Sequence, residues 1–156
     1  MIRLIAVIDE KHGMANEQGI PWQGKLPTDI QYFRDHTSHG TVLMGYRTYQ
    51  ELPKPLSDRR NLVLTTHLEV LRPGFEGVHD LAEALKISND LWVIGGAQIF
   101  AQTILIADEL YITEISGDWH CTKFFPDFSR DYMLAEQGEP QQENGITFRF
   151  NVYRRK

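Results

Sequence analysis

Short apolar runs alternate with amphipathic segments along the chain, and this alternation indicates the fold class. The run IRLIAVI at residues 2–8 is continuously apolar apart from one arginine and rich in β-branched residues. Such runs are typical of strands that are buried on both faces of a sheet. By this criterion, strands are predicted at residues 2–8, 41–45, 61–66, 74–78, 91–96 and 109–115.

The segments between these strands predict helices. Pro27 stands where the first turn of a helix tolerates proline, and the helix that follows is expected to end near Gly40. Asp80 and Glu83 form an Asp-x-x-Glu pattern that resembles a capping box and opens another helix. Helices are therefore predicted at residues 27–40, 46–52, 80–85 and 97–107.

The C-terminal part of the chain has a different pattern. Residues 132–138 and 147–155 alternate like two antiparallel strands. Strands that alternate with helices and then follow one another directly imply a single α/β domain over residues 1–156. The predicted sheet is central and mostly parallel, with an antiparallel C-terminal edge and about four flanking helices. The polar loop at 9–22 is long for such a domain, and long loops are often functional.

Composition narrows the choice of partners and compartment. The chain has 156 residues and a formal net charge of −5, which argues against nucleic acid or an anionic membrane as the main partner. The only cysteine, Cys121, excludes an internal disulfide, as suits a reducing compartment. The N-terminus lacks a signal-peptide cleavage site, and no apolar run approaches a membrane span. A cytoplasmic enzyme or binding domain is expected, and a monomer, since no exposed apolar patch is legible.

One carboxylate stands in an apolar setting. In the stretch IPWQGKLPTDIQYF at 20–33, Asp29 and Phe33 share a helix face, with Leu26 and Ile30 nearby. An ionised carboxylate in apolar surroundings costs several kcal/mol or shifts its pKa instead. Asp29 is therefore either an ordinary acid that favours the helix dipole or a group that binds a ligand.

Two glycine turns follow predicted strands. VIGGAQIF places Gly95 and Gly96 between a strand and a helix, and MGYRTYQEL places Gly45 in the same situation. Unpaired backbone N–H groups at such helix starts can bind an anion, and ligands of open α/β sheets lie at the carboxyl ends of strands. Neither turn is a G-x-G-x-x-G fingerprint, so each alone is weak evidence for a phosphate-bearing ligand. No metal site is expected, because the histidines lack accompanying ligands.

Over nearly its whole length, the chain resembles the dihydrofolate reductase family. Seven segments carry the resemblance, in the family's order and at nearly its spacing: LIAVID, GMANEQGIPW, LPTDIQYFRDHT, VLMGYRTYQELPKPLSDRRNLVLTT, VIGGAQIF, ELYITEI and FFPDF. The resemblance implies reduction of 7,8-dihydrofolate to 5,6,7,8-tetrahydrofolate with NADPH as cofactor. Hydride would pass to C6 of the pterin and a proton to N5. Antifolate inhibitors are expected to bind the same site.

The resemblance also assigns residues by position. Asp29 matches the acid that faces the pterin, and Thr113 matches the threonine behind it, so the catalytic set is Asp29, Trp22 and Thr113. The substrate-binding set is Ile5, Val7, Asp29, Phe33, Leu52, Arg59, Ile94 and Thr113, with Arg59 matching the partner of the glutamyl carboxylate. The cofactor-binding set is Ala6, Ala15, Ile20, Gly45, Arg47, Thr48, Thr65, Thr66, His79, Ile94, Gly95, Gly96, Ala97, Gln98 and Ile99. The Gly95–Gly96 peptide is expected to be cis.

Some positions depart from the family pattern. WQGKLP has two residues more than shorter bacterial members between Trp22 and Leu26. Tyr46 and Gln98 stand where arginine is common in some members, and His79 where a lysine can occur, which leaves fewer positive charges for the 2′-phosphate. The pair at 121–122, Cys-Thr, stands where Gly-Asp often braces the active-site loop.

Two alternatives stay open at this point. A reductase of the same fold acting in riboflavin synthesis would share the glycine turns but should lack the pattern from Trp22 to Asp29 with Arg59. A catalytically inactive protein that binds nucleotides or antifolates is the other, and the intact Asp29, Thr113 and Gly95-Gly96 speak against it. Loss of NADPH absorbance with dihydrofolate as partner would separate a dihydrofolate reductase from both alternatives.

Overall fold

A computed structural model describes residues 1–67 and 70–156. Four helices lie in this part of the chain: α1 (Pro27–Thr37), α2 (Tyr46–Glu51), α3 (Leu81–Ile87) and α4 (Ala97–Thr103). The strands are β1 (Ile2–Ile8), β2 (Gly13–Ala15), β3 (Thr41–Gly45), β4 (Arg60–Leu64), β5 (Phe75–Val78), β6 (Leu91–Gly95), β7 (Glu109–Ile115), β8 (Lys123–Phe124), β9 (Tyr132–Gln137), β10 (Gln141–Glu143) and β11 (Ile146–Arg155).

Nine of these strands form one sheet in the order β10-β11-β7-β1-β6-β3-β4-β5, with β9 also paired to β11. The strands from β7 to β5 in this order run parallel to one another. Strand β11 runs antiparallel to β7, β9 and β10. The predicted fold class, a mostly parallel α/β sheet with an antiparallel C-terminal edge and four helices, is confirmed.

The core divides between the two faces of the sheet because successive strand residues point to opposite sides. In β1, Leu4 packs on one face and Ile5 on the other. Helices α3 and α4 cover the first face through residues such as Ala84 and Phe100. Helices α1 and α2 cover the second face through residues such as Phe33 and Tyr49. The sheet therefore has helices on both faces, which leaves the carboxyl ends of the parallel strands open for a site.

Several predicted bounds were wrong by a few residues. The strand predicted at 61–66 ends at Leu64, because the Thr65 hydroxyl accepts a bond from the His67 N–H (2.9 Å) and turns the chain. The helix predicted at 97–107 ends at Thr103, where the Ala107 N–H bonds to the Thr103 carbonyl (2.9 Å) and leads into β7. The capping pattern at Asp80 was correct: its carboxylate accepts a bond from the Glu83 N–H at 2.8 Å.

The segment predicted as a loop at 9–22 contains a strand that the sequence pattern missed. Strand β2 pairs with β8, which is also short, and together they form a separate two-stranded sheet. Asp9, only 2% exposed, stabilises this region. Its carboxylate accepts bonds from the N–H groups of Lys11 (2.9 Å), Gly13 (2.7 Å) and Trp119 (3.0 Å). Asp9 thus ties the segment after β1 to the loop after β7.

No helix within residues 1–67 and 70–156 is long and apolar enough to cross a membrane.

The close approach at Gly13 yields a first prediction. A Cβ at this position would lie 2.5 Å from the Cys121 Cβ, 2.8 Å from its Sγ and 2.9 Å from the Asp9 Oδ1. Gly13→Ala should therefore lower the free energy of unfolding by about 1–3 kcal/mol through overpacking. Urea denaturation followed by circular dichroism measures it. Cys121→Gly removes the two nearest atoms, so Gly13→Ala should cost less stability in the Cys121→Gly background than in the wild-type protein. An unchanged urea midpoint for Gly13→Ala would contradict this packing.

Candidate active site

A cleft of about 1240 Å³ opens at the carboxyl ends of β1, β3, β4 and β6. This volume exceeds the roughly 300–1,000 Å³ of a pocket for one drug-sized ligand. The cleft can therefore hold a large ligand or two ligands side by side. Its ends differ in character, since Asp29 and Phe33 line one end and the two glycine turns line the other.

Most of the residues assigned from the sequence line this cleft. The structure brings together Ile5, Ala6, Val7, Ala15, Ile20, Trp22, Asp29, Phe33, Gly45, Arg47, Thr48, Thr65, Thr66, His79, Ile94, Gly95, Gly96, Ala97, Gln98 and Ile99. Residues more than ninety positions apart in the chain meet here because the parallel strands end at one edge of the sheet.

Three assigned residues lie behind or beside the cleft lining. Thr113, on β7, is 1% exposed and contacts Asp29 from behind. Leu52 packs in the same apolar cluster as Phe33. The Arg59 guanidinium lies 5.8 Å from the centre of the Phe33 ring. It is oriented by bonds from Nε to the Ser57 carbonyl (2.9 Å) and from Nη1 to the Thr37 hydroxyl (2.9 Å).

Asp29 is the only carboxylate among the described residues at the apolar end of the cleft lining. The Thr113 hydroxyl donates to its Oδ1 at 2.7 Å. Burial raises the pKa of the Asp29 carboxyl above its ordinary value of 3.8, the Thr113 bond lowers it, and the negative charge of Glu143 raises it. Burial is the largest of these causes, so the net pKa is raised. The site thus holds an acceptor pair whose ionisation a cationic or donor-rich ligand would favour.

The sequence placed Ile30 beside Asp29, and this expectation was wrong. Ile30 is 48% exposed, whereas Trp22 and Leu26 are 4% and 3% exposed. Adjacent helix residues point about 100° apart, so the turn that directs Asp29 toward the sheet directs Ile30 to the surface. The apolar surroundings of Asp29 are supplied instead by Trp22, Leu26 and Phe33.

The two glycine turns adjoin each other. A Cβ on Gly45 would lie 3.8 Å from the Gly95 carbonyl oxygen and from the Gly96 nitrogen. A Cβ on Gly96 would meet only the Thr48 hydroxyl, at 3.7 Å, and would project into open space in the cleft. The Gly95–Gly96 peptide is cis, as expected. These backbones leave a cradle that fits a phosphate-bearing ligand at close range.

The described lining of the cleft carries few permanent positive charges. These are Arg47, whose Nε lies 3.6 Å from the Glu51 Oε1, and Lys123, which pairs with Ala15. His79 lies beside Glu83, and its Nδ1 is 3.2 Å from the Glu83 Oε2. Sequence reasoning missed His67, whose ring stacks on Tyr46 at 3.9 Å between centroids. Its position directly after Thr65-Thr66 at the end of β4 was the available signal.

The loop beside the cleft is braced by residues that replace the family's Gly-Asp pair. The Thr122 N–H donates to the Ala15 carbonyl at 2.9 Å, and its hydroxyl donates to the Glu17 Oε1 at 2.9 Å. The acid therefore lies on the active-site loop and the donor on the bracing loop. Burial, with a contribution from Asp9, raises the pKa of the Cys121 thiol to about 11, so Cys121 is not a reactive thiolate at neutral pH.

Comparisons with known proteins agree with one another. The family model described as "Dihydrofolate reductase" matches residues 1–155. A dihydrofolate reductase of Bacillus subtilis is 30% identical over 162 aligned residues, covering 100% of this chain and 95% of that protein. One from Staphylococcus aureus is 27% identical, covering 96% of this chain and 94% of that protein. A solved structure of dihydrofolate reductase from Enterococcus faecalis, complexed with NADP(H) and RAB-propyl, matches with a TM-score of 0.88 and 26% identity, covering 100% of this chain and 96% of that one.

The raised pKa of Asp29 predicts a pH-dependent difference in stability. A carboxyl whose folded pKa is raised binds more protons in the folded state between its unfolded value, near 3.8, and its folded value. Wild-type stability should therefore fall as pH rises through that window. Asp29→Asn keeps an oxygen for the Thr113 bond and avoids the charge, so it should be more stable than wild type above the window.

Urea denaturation from pH 3.5 to 8 measures the difference. The gain of Asp29→Asn over wild type should grow with pH and then level off. Asp35→Asn, at an exposed position of the same helix, is the matched control and should show no such growth. A gap that is constant or shrinks with rising pH would refute the raised pKa.

Proposed function

The chain belongs to the dihydrofolate reductase family and reduces 7,8-dihydrofolate to 5,6,7,8-tetrahydrofolate with NADPH, and from this premise we propose the role of each group in the cleft. Bound NADPH supplies the hydride that adds to C6 of the pterin, while N5 takes a proton. The protein's own contribution is to hold the two rings in contact, to exclude water and to bind the pterin through Asp29.

Asp29 is the group that binds and polarises the pterin. The carboxylate has two acceptor oxygens, which match the two donors of the pterin edge, the 2-amino group and N3. The observation that carries this proposal is the contact behind it: the Thr113 hydroxyl donates to Oδ1 at 2.7 Å and orients the carboxylate within an apolar end of the cleft. Low local polarity strengthens the pairing with the substrate.

The walls of the substrate half follow from the same arrangement. Ile5, Val7 and Ile94 lie on strands that end at the cleft, and Phe33 faces them from α1. Phe33 and Leu52 belong to one apolar cluster and would enclose the ring system and the benzoyl group. Arg59, oriented by its bonds to Ser57 and Thr37, would bind the glutamyl carboxylate.

The cofactor half is built on the two glycine turns. Gly95 and Gly96 would lie along the pyrophosphate, where their lack of a Cβ permits close approach. Thr48 and Arg47, at the start of α2, would bind phosphate oxygens. The outer residues Thr65, Thr66 and His79 would contact the adenosine and its 2′-phosphate, and the inner ones, Ala6, Ala15, Ile20 and Ala97 to Ile99, would line the path toward the nicotinamide.

Asp29 is not the group that hands the proton to N5, because it binds the opposite edge of the pterin. Water that passes the loop at 14–22 delivers that proton. Trp22, which is 4% exposed, lies edge-on to Trp119 at 5.8 Å between ring centroids. Together with the Thr122–Glu17 bond, this packing holds the loop near the cleft and limits the entry of water.

We also infer the setting in which the enzyme works. The net charge of −5 supports a protein without nucleic acid as partner, and the single cysteine supports a cytoplasmic location. A monomer is proposed because the whole cleft is formed by one chain. Antifolates that present two donors on one edge of a ring should compete with dihydrofolate at Asp29.

Asp29→Asn tests the catalytic assignment. The amide turns one acceptor oxygen into a donor that faces the pterin's own donors. Loss of a charge-assisted bidentate pair should cost about 3–5 kcal/mol of transition-state stabilisation, two to four decades in kcat/KM. Activity should recover in part at low pH, where substrate that is already protonated needs less help. Measurement of kcat/KM from pH 5 to 9 checks both. A variant whose kcat/KM at pH 7 lies within a few-fold of the wild-type value would refute the catalytic role of Asp29.

Gly96→Ala tests the cofactor half. The added Cβ projects into the cradle beside Thr48 without a protein clash, so the variant should fold. It should nevertheless weaken NADPH binding by about 10- to 100-fold, because the pyrophosphate can no longer approach the backbone. Fluorescence titration with NADPH gives the affinity, and Asp29→Asn is the control that should retain it. Unchanged NADPH affinity in a folded Gly96→Ala protein would show that the pyrophosphate does not bind at this turn.

A further inference from the structure

The hairpin formed by β10 and β11 contacts the helix that carries Asp29. Its turn is Asn144-Gly145, with φ of 51° and 79°, and Glu143 pairs with Ile146 across it. Positive φ at both central residues is the geometry of a tight type I′ hairpin turn, which matches the twist of the flanking strands. The residues next to this turn are therefore held in defined positions.

Three contacts join the hairpin to the chain around the start of α1. The Asn144 Nδ2 donates to the Lys25 carbonyl at 2.8 Å. Ile146 is 5% exposed and lies in the apolar cluster that also contains Trp22 and Leu26. Glu143 makes the third contact, and it is the most direct one: both of its carboxylate oxygens accept bonds from Thr28, the residue before Asp29.

The first turn of α1 lacks a capping group of its own. Its N-cap residue is Leu26, which has no side-chain acceptor, and Pro27 has no N–H to be satisfied. The N–H groups of Asp29 and Ile30 bond to the Leu26 carbonyl at 3.1 and 3.2 Å. The remaining donor of the turn, the Thr28 N–H, bonds to the Glu143 Oε1 at 3.0 Å.

Glu143 thus fills the place of an N-cap from 115 residues away in the sequence. A second bond, from the Thr28 hydroxyl to the Glu143 Oε2, fixes the orientation of that carboxylate. Because Asp29 follows Thr28 directly, any shift of this first turn is passed to the carboxylate that faces the pterin. A displacement of about 1 Å at such a group is enough to cost a large factor in rate.

We propose that Glu143 is a positioning residue of the reductase reaction, which holds the first turn of α1 so that Asp29 meets the pterin edge. The proposal rests on the role of Asp29 given above. It adds a part of the protein, the C-terminal hairpin, that does not line the cleft. It also explains why the negative charge of Glu143 lies near Asp29, a second and partly buried carboxylate.

That charge has an electrostatic consequence. The carboxylate of Glu143 is one of the causes that raise the pKa of Asp29, after burial. The other groups that face the pair are Thr113 on β7, which stabilises the ionised form through its hydrogen bond, and Tyr32 on α1. The charge of Glu136 on β9 raises the pKa of Tyr32, but it is not one of the groups that shift the pKa of Asp29. Removing the charge at 143 should therefore lower the pKa of Asp29.

Two kinds of variant separate position from charge. Glu143→Ala removes both bonds to Thr28, and Thr28→Val removes the hydroxyl bond while it keeps the shape and the charge at 143. Glu143→Gln keeps an acceptor oxygen for the Thr28 N–H but loses the charge. Glu139→Gln makes the same change of net charge at an exposed position before β10 and serves as the matched control.

The measurements are single-turnover hydride transfer with NADPH, the KM for dihydrofolate, and the ¹³C titration of the Asp29 carboxyl in the protein without ligands. Glu143→Ala should lower kcat/KM by about 5- to 30-fold, as expected for the loss of one or two hydrogen bonds that act on the transition state. Thr28→Val should show a smaller loss in the same direction, and Glu143→Gln should recover most of the activity. NADPH affinity should not change in any of them.

The titration of Asp29 should have a lower midpoint in Glu143→Gln than in wild type, and the difference should shrink as salt is added. Glu139→Gln should titrate as wild type. The positioning role is overturned if Glu143→Ala, or Thr28→Val should the alanine variant not fold, keeps kcat/KM within two-fold. An Asp29 midpoint that is the same in Glu143→Gln and wild type would overturn the electrostatic consequence alone. A fully active Asp29→Asn variant would instead refute the proposed role of Asp29 in catalysis. The difference in the Asp29 midpoint between wild type and Glu143→Gln would not be affected by that result.

Discussion

The hydrogen bond from the Thr113 hydroxyl to the Asp29 carboxylate is the contact on which the apolar end of the cleft, the proposed substrate half, depends. It joins α1, on one face of the sheet, to β7, which lies between β1 and β11. A carboxylate in an apolar cleft needs such a donor, since an unpaired one would neutralise or turn to solvent. Thr113 is itself 1% exposed and pairs in register with Val7 and Phe150, so it cannot move without the sheet. The rigidity of the central strands is thereby passed to a side chain on a helix.

This arrangement places function against stability at one residue. Burial and the charge of Glu143 both oppose ionisation of Asp29, and only the Thr113 bond favours it. A protein selected for stability alone would keep an uncharged residue there, since natural sequences break local rules mainly at functional sites. In the proposed complex, the pterin edge would supply two further donors. Substrate binding would then complete the hydrogen bonding of a group that the folded protein leaves partly satisfied.

Sequence patterns predicted the parts of the structure that depend on local order. The strand bounds around Gly45 and Gly95, the cap at Asp80 and the Asp29–Phe33 face all follow from turn chemistry and helical spacing. The contacts that pattern analysis missed join distant segments through single side chains. Asp9 meets the N–H of Trp119, and Glu143 meets Thr28, across 110 and 115 residues. No local signal marks such a pair, because an exposed-looking acid in a loop or hairpin has the same sequence context whether or not it finds a partner.

The two halves of the cleft are consequently held by different parts of the fold. The glycine turns follow β3 and β6 directly, so the cofactor half is formed by backbone that the parallel sheet already positions. The proposed substrate half depends on side-chain contacts with strands on the other side of β1: the parallel strand β7 through Thr113, and the antiparallel β10–β11 hairpin through Glu143, Asn144 and Ile146. The glycine turns depend on the absence of a Cβ at the ends of the parallel strands, whereas the hairpin contacts depend on the side chains of C-terminal residues. The C-terminal strands, which do not line the cleft, are therefore where sequence change should alter substrate recognition while leaving cofactor binding intact.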